Sequence, residues 1–298
     1  MQQAAASAAG AQTYPAGALY VVATPIGNLA DLTLRAIHVL GLVDAIACED
    51  TRHSAPLLRQ LGIEGKTLLA VHEHNEREAA SGILARLAQG ERVAYVSDAG
   101  TPAISDPGAA LVAAAQAAGY RCVPIPGASS AVAALSVAGD AIVGPFTFVG
   151  FLSSRASERA RAVQQLAASP QAQVLFEAPH RIEALAAALA EGCDARPVTV
   201  CRELTKQFES VTTMPASALP AWLAADAHRS RGEFVLVLHA FVADGASDAP
   251  AFDNTLRTLL AALPLKQAVA IGAELTGAPR NALYERALAL KKCADDKA

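Results

Sequence analysis

The sequence predicts an α/β protein, with parallel or mixed sheets covered by helices on both faces and a small helical module at the end. Three observations carry this. Ten short apolar runs of strand length recur between residues 19 and 239. Helix-period segments separate most of them. Past a stretch bearing Gly245 and Pro250, strand-like runs stop and three short helical periods follow. Such alternation is the pattern of strands that pair side by side with crossover helices packed on both faces.

In chain order, residues 1–17 are rich in Ala, Gln and Gly, uncharged, and without the basic start and Leu-rich centre of a signal peptide; they read as a disordered tail. The strand candidates are Leu19–Ala23, Ala45–Cys48, Thr67–Val71, Val93–Ser97 and Cys122–Ile125, then Phe146–Phe151, Gln173–Phe176, Val198–Arg202, Glu209–Thr213 and Phe234–His239. Asp31–Gly41 carries Leu32, Leu34, Ile37 and Leu40 at helical spacing. Asn75–Gln89 opens on a capping-box pattern, Asn75 with Glu78, and closes at Gly90. The PIPG turn at Pro124–Gly127 separates five strands from the next five. This places an N-terminal α/β domain at 18–126, a C-terminal one at 127–240, and a linker at 241–251. Phe252–Ala262, Leu265–Leu275 and Ala278–Leu290, broken at Pro264 and at Thr276 and Gly277, read as a helix-turn-helix-like module over 252–292.

Composition excludes several classes. At 298 residues and 53% hydrophobic there is ample apolar material for a core, yet no apolar run approaches the roughly 18 residues that span a bilayer. The five cysteines are an odd number with no Cys-x-x-Cys spacing, which reads as buried thiols in a reducing cytoplasm rather than disulfides or a metal site. Net charge is −4, so the chain is not a general nucleic-acid binder, but 255–294 carries a surplus of +4. A basic tail on an acidic body points to a polyanion partner for the tail.

Chemistry-bearing residues gather just past strand ends, where open α/β sheets bind ligands. The opening loop, Ser97–Gly108, holds two Gly, two Pro and two Asp; Asp98 suits a ligand amine or hydroxyl, and Asp106 with Pro107 reads as a helix cap. The TPIGN turn at Thr24–Asn28 has Pro25 and Gly27 to shape it, but lacks the Gly-x-Gly-x-x-Gly dinucleotide fingerprint. Glu49–His53 packs five polar residues behind a strand: Glu49 suits a substrate hydroxyl, Arg52 a phosphate, and Asp50 or Thr51 a helix cap. His72 and His74 would point to opposite sides of a continuing strand, a poor metal arrangement; they line a cleft or are plain loop residues. Ser129 and Ser130 either cap a helix or offer hydroxyls to a ligand, and Arg202, Glu203, Lys206 and Glu209 form either a site or an exposed charged face.

Eight ordered motifs together resemble the tetrapyrrole methylase superfamily of S-adenosylmethionine-dependent enzymes, and in particular its branch of small-subunit rRNA cytidine 2′-O-methyltransferases. They are TPIGN (Thr24–Asn28), EDTR (Glu49–Arg52), HEHNE (His72–Glu76), SDAGTP (Ser97–Pro102), PGASS (Pro126–Ser130), EAPHR (Glu177–Arg181), RELTK (Arg202–Lys206) and RGEF (Arg231–Phe234). Tetrapyrrole-modifying relatives carry a Gly-x-Gly-Pro-Gly first loop and a Gly-Asp-Pro loop after strand four. Thr24–Gly27 and Ser97–Gly100 depart from both, which turns the expectation from a porphyrinoid to RNA.

The resemblance implies two α/β domains with the methyl donor S-adenosylmethionine in the cleft between them, a homodimer, a cytoplasmic location, no metal, and the small ribosomal subunit or its rRNA as partner. Carried over by position, the donor site comprises Pro25, Gly27, Asp98, Ala99, Gly100, Ile104, Ser129, Ser130, Phe176, Ala178, Pro179, Gly232, Glu233 and Phe234. Transfer to a ribose hydroxyl needs alignment and a proton acceptor. Glu49, Asp98 and Glu203 are candidate bases, with Lys206 as a catalytic cation. Arg52, His72, His74, Arg181, Arg257, Lys266 and Arg280 are candidates for holding RNA. Two rival readings stay open: a methyltransferase acting on a tetrapyrrole or other small molecule, and a non-enzymatic RNA-binding module. A nicotinamide-dependent oxidoreductase stands further off, because the glycine fingerprint is missing.

Overall fold

The computed structural model describes residues 1–72, 75–142, 144–242, 249–276 and 280–295. Residues 1–241 form one compact unit and 242–298 a second.

The first sheet is parallel throughout, in the order β3-β2-β4-β1-β5: β1 (Ala18–Val22), β2 (Ala45–Cys48), β3 (Thr67–Ala70), β4 (Val93–Val96) and β5 (Arg121–Ile125). Successive side chains alternate between its two faces. Tyr20, Val22, Ile46, Cys48, Ala94 and Val96 pack on one side with α1 (Gln2–Ala9), α2 (Leu34–Leu42) and α3 (Thr51–Gln60). Leu19, Ala47, Val93 and Tyr95 pack on the other with α4 (Glu76–Ala88) and α5 (Ala109–Ala117). The chain leaves β1 toward β2 and leaves β4 toward β5, in opposite directions, so the strand order reverses between these adjacent strands. That is where such a sheet opens a crevice.

The second sheet is mixed, in the order β6-β7-β10-β8-β9: β6 (Phe146–Phe151), β7 (Ala172–Glu177), β8 (Pro197–Arg202), β9 (Ser210–Pro215) and β10 (Phe234–Leu238). β6 and β7 are parallel; β10 is antiparallel to both of its neighbours, and β9 to β8. One face buries Leu175, Val200, Phe234 and Leu236 against α7 (Ala156–Ala168), α8 (Ile182–Cys193) and α9 (Leu219–Ala224). The opposite face buries Val174, Cys201, Val235 and Val237 against α6 (Ser130–Ala138) and Leu204. Ile26, from the first sheet's leading loop, packs into this second cluster.

In the second unit, α10 (Ala249–Ala262), α11 (Leu265–Thr276) and α12 (Arg280–Asp295) share a core of Leu256, Val269, Leu283 and Ala287. Gly272 of α11 lies under Leu256, Leu259 and Leu283. Among the described residues no helix is long and apolar enough to cross a membrane.

Four local expectations are corrected. The segment read as a disordered tail contains α1, whose Ala5 and Ala9 are buried; small side chains let it lie close on α2, a tertiary contact that composition does not reveal. The helix expected at Asp31–Gly41 begins at Leu34, because the Thr33 hydroxyl caps it at the Ala36 N–H and Asn28 caps a separate 3-10 turn at Leu29–Asp31. Asn75 forms no capping box. Its amide accepts from the His72 N–H and donates to the Ala70 carbonyl, tying the loop back to β3. Asp106 caps nothing. Gly108 leads into α5 at φ +122°, where a Cβ would stand 2.1 Å from the Tyr95 ring.

Candidate functional site

The leading loops of β1 and β4 are stitched across the crevice. The Thr24 N–H donates to the Gly100 carbonyl at 2.9 Å, the Gly100 N–H returns a bond to the Thr24 carbonyl at 3.2 Å, and the Thr24 hydroxyl donates to the Ser97 carbonyl. Gly100 sits at φ +81°, open to glycine without strain. The Thr101 hydroxyl bonds the Ala128 carbonyl, which draws in the loop after β5. Ser129 precedes α6 without capping it.

These loops and the second sheet enclose a cavity of about 330 Å³. Ile26, Ala99, Gly100, Thr101, Ile104, Ser105, Asp106, Ser129, Ser130 and Ala131 line it from the first three loops and the start of α6. Phe151, Phe176, Glu177, Ala178, Pro179, Cys201, Leu204, Glu233, Phe234 and Val235 line it from the second sheet and its loops. Phe176 meets Phe148 and Phe151 edge to face, with centroids 5.0 and 5.7 Å apart, and forms a rigid aromatic wall. The ionisable lining groups are Asp106, Glu177, Glu233 and the Cys201 thiol; no basic side chain is among the lining residues. Burial raises the Asp106 carboxyl above its usual range against a hydrogen bond with Ser97. Glu177 is buried, with Arg181 Nε 3.1 Å from its Oε1 and no hydrogen-bond partner at Oε2 among the described residues.

A second cavity of about 290 Å³ opens beside the first, lined by Pro25, Gly27, Leu29, His53, Ser54, Leu57, Gln60, Ser97 and Asp98. One loop thus borders both: Ser97 and Asp98 face the second cavity, Ala99 and Gly100 the first. Asp98 accepts from the Asp50 N–H at 3.2 Å and pairs with His53 Nδ1 at 2.8 Å. Its own N–H points to Glu49 Oε2 at 3.4 Å, and burial pushes the Glu49 carboxyl up.

On the other side of Gly27 stands the loop after β8. Lys206 Nζ bridges Glu203 (3.0 Å) and Glu233 (2.7 Å), and the Glu233 N–H donates to Glu203 at 2.9 Å. Burial opposes ionisation of Glu203, but these bonds prevail and hold its carboxyl below the usual value. Glu203 and Thr205 both adopt left-handed backbone, φ +53° and +67°. Gly27 and Gly232 fit this arrangement because neither has a side chain: a Cβ would lie 2.4 Å from Lys206 Cγ at the first and 2.5 Å from Glu203 Cγ at the second.

Of the fourteen residues expected around a donor, the first cavity thus gathers Ala99, Gly100, Ile104, Ser129, Ser130, Phe176, Ala178, Pro179, Glu233 and Phe234. Pro25, Gly27 and Asp98 border the second, and Gly232 lines neither. Asp106, read from sequence as a cap, Glu177 and Cys201 on the first cavity and His53 on the second were given no site role from sequence, although Glu177 and His53 lie within motifs named there. Strand alternation marks Cys201 as facing one side of β8; nothing in the sequence tells which side carries a cavity.

Among the residues expected to hold RNA, Arg52 is exposed but turned back on Asp50 at 2.6 Å, and its hydrogen bonds pull the Asp50 carboxyl down to about 2. Arg181 is spent internally, on Glu177 and the Leu152 carbonyl. His72 is exposed, and His74 lies outside the described residues. Arg257, Lys266 and Arg280 are exposed on the three-helix unit, with Arg280 4.0 Å from Glu274.

The cysteines Cys48, Cys122, Cys193 and Cys201 are free thiols, and no metal-holding cluster occurs among the described residues. The fold is similar to that of a solved structure, the uroporphyrin-III C-methyltransferase from Thermus thermophilus complexed with S-adenosylhomocysteine. The TM-score is 0.53, at 17% identity, covering 74% of this chain and 96% of that one. Residues 18–220 match the family model of the tetrapyrrole (corrin/porphyrin) methylases, which sets the class of the α/β body. Residues 246–291 match the RsmI C-terminal HTH domain. The protein from Pseudomonas aeruginosa named ribosomal RNA small subunit methyltransferase I is 45% identical over 276 residues, 92% of this chain and 97% of that one. Its namesake from Neisseria meningitidis serogroup A is 46% identical over 278 residues, 92% and 94% of the two chains. The chain belongs to the ribosomal RNA small subunit methyltransferase I family, within the tetrapyrrole methylases.

Proposed function

We propose that this protein transfers a methyl group from S-adenosylmethionine to the 2′-oxygen of a cytidine ribose in small-subunit ribosomal RNA. The observation that carries the donor half is the charge of the first cavity. Its lining includes Asp106, Glu177 and Glu233 and no basic side chain, although Glu177 is paired with Arg181 and Glu233 with Lys206. Such a lining suits a ligand bearing a sulfonium and an ammonium. The Phe176 wall, with Pro179 and Ile104, suits a flat base, and the Ser129 and Ser130 hydroxyls suit a sugar. The RNA half is supported by the names of the relatives and by the exposed cations of the three-helix unit.

When bound, S-adenosylmethionine supplies a methyl group already activated by its positive sulfur, so the chain itself has to position and to manage a proton. Ala99, Gly100 and Phe176 bound the donor space. Lys206, fixed by Glu203 and Glu233 beside Gly27, brings a positive charge to its edge. The reading extends to two domains at 18–126 and 127–240, a linker at 241–251, a helical RNA-docking module at 252–292, a homodimer and a cytoplasmic location. Val132, Val137, Phe146 and Phe208, which are exposed, suit the surface of such a dimer.

Incubating the purified protein with labelled donor and undermethylated small subunits, then mapping modified riboses by mass spectrometry, tests this. The expected result is one 2′-O-methylated cytidine and no label in a parallel tetrapyrrole pool. Label confined to tetrapyrroles, or no calorimetric signal with the donor, refutes it.

A further inference from the structure

The cluster after β2 contains one proton acceptor that the scheme above has not used. Glu203 is neutralised by Lys206 and by the Glu233 N–H. Glu49 lines neither cavity and faces the Asp98 backbone. Both Asp98 oxygens are engaged, Oδ1 by the Asp50 N–H and Oδ2 by His53. His53 lines the second cavity, and its other ring nitrogen, Nε2, has no hydrogen-bond partner among the described residues. A carboxylate on Nδ1 selects the tautomer with hydrogen there and leaves the Nε2 lone pair bare.

We infer that His53 is a catalytic residue that takes the proton of the acceptor hydroxyl at Nε2 from the second cavity, while Asp98 orients its ring. The assignment rests on the methyl-transfer reading. In the step, the oxygen–carbon bond forms as the sulfur–carbon bond breaks. The electron pair of the broken bond stays on sulfur, and the hydroxyl proton moves to Nε2. Consecutive residues of one loop border the two cavities, Asp98 the second and Ala99 the first, and the assignment puts the acceptor hydroxyl in the second and the donor in the first. The charged groups that act on the ring are Asp98, from the loop after β4, and Asp50 and Arg52, from its own segment. The hydrogen bond to Asp98 and the two carboxylates outweigh desolvation and Arg52 and lift the imidazole's affinity for a proton. The other lining residues, Pro25, Gly27, Leu29, Ser54, Leu57, Gln60 and Ser97, carry no charge.

Two measurements test the assignment. Nitrogen-15 NMR of the donor-free protein at pH 8 is expected to show the neutral His53 ring protonated at Nδ1 only; a ring protonated at Nε2 overturns the assignment regardless of activity. Single-turnover transfer to undermethylated subunits, at saturating donor from pH 5.5 to 8.5, is expected to rise with pH and level off in the wild type. It should drop about 100-fold or more in His53→Ala and recover with added imidazole, while donor affinity by calorimetry stays within about threefold. A His53→Ala variant with the wild-type rate and pH profile overturns this assignment alone. A wild-type protein that binds donor but transfers nothing to the subunits overturns the underlying reading with it.

Discussion

His239 is a buried side chain whose protonation opposes folding at acid pH. It closes β10, with Nε2 2.7 Å from the Thr199 hydroxyl, which in turn donates to the Ala138 carbonyl and meets Thr213 at 2.7 Å. Thr199 has one hydrogen, spent on Ala138, so His239 donates to it from Nε2. Burial lowers the affinity of the ring for a second proton; Asp140 works against that effect and Arg196 reinforces it. The unfolded chain, with His near 6.5, then binds more protons than the native one below that pH. Stability is therefore complete above about 6.5 and is lost as pH falls, at no more than about 1.4 kcal/mol per unit from this residue. Urea midpoints at pH 7.5 and 5.5 should separate more in the wild type than in His239→Gln, whose amide can keep the Thr199 bond. Equal separations would remove His239 from the account.

At the scale of elements, the second sheet is fastened at one end by Arg196, just before β8. Its guanidinium donates to the carbonyls of His239, Leu166 and Gln171 at 2.7–2.8 Å and lies 4.6 Å from the centre of the Phe241 ring. It thereby ties β10, α7 and the turn before β7 to one side chain. Arg196→Ala removes this donor from the His239 and Gln171 carbonyls, while the Leu166 carbonyl keeps the Ser169 N–H and the Gln173 amide; each buried unpaired polar group costs about 1–3 kcal/mol. A loss of about 2 kcal/mol or more in chemical denaturation is expected; a loss under about 1 kcal/mol would mean that water replaces the bonds.

Elements are also where the sequence was easiest to read. Runs such as Ala45–Cys48 and Phe234–Leu238 are buried on both faces, so every position is apolar and the strand announces itself. The start of α5 at Gly108 was harder, because it depends on the space beside Tyr95; the cap of α2 is local, from Thr33 to the Ala36 N–H, and competed with the leucine spacing that begins at Leu32. The same limit applies to the cavities. Motifs flagged Ala99, Gly100 and Ser129, which belong to loops with visible turn chemistry. Asp106 resembled a cap, and Arg181 looked like a phosphate ligand until Glu177 was seen buried beside it. Pairings across the fold decide such cases, and the order of residues does not contain them.

For the whole molecule, the testable division lies between the α/β body and the three-helix unit, whose core of Leu256, Val269, Leu283 and Ala287 is its own. Removing 252–298 should weaken binding to rRNA and flatten its dependence on salt, because each lost phosphate contact lowers the logarithmic slope by about 0.7–0.9. Donor affinity should be unchanged. Filter binding between about 50 and 200 mM salt checks this; an unaltered slope would exclude the unit from RNA docking.

The absence of any basic side chain from the lining of the first cavity also bears on which small molecules are turned away. A cell holds adenine compounds in great variety, and most carry phosphates. A pocket shaped for an adenosine would otherwise be crowded with them. Phosphates would meet no cation on that lining, only Asp106 and the ion-paired Glu177 and Glu233, so the water they lose on entry would go unreplaced. On the proposed reading, discrimination against nucleotide triphosphates follows from the lack of any partner for their charge.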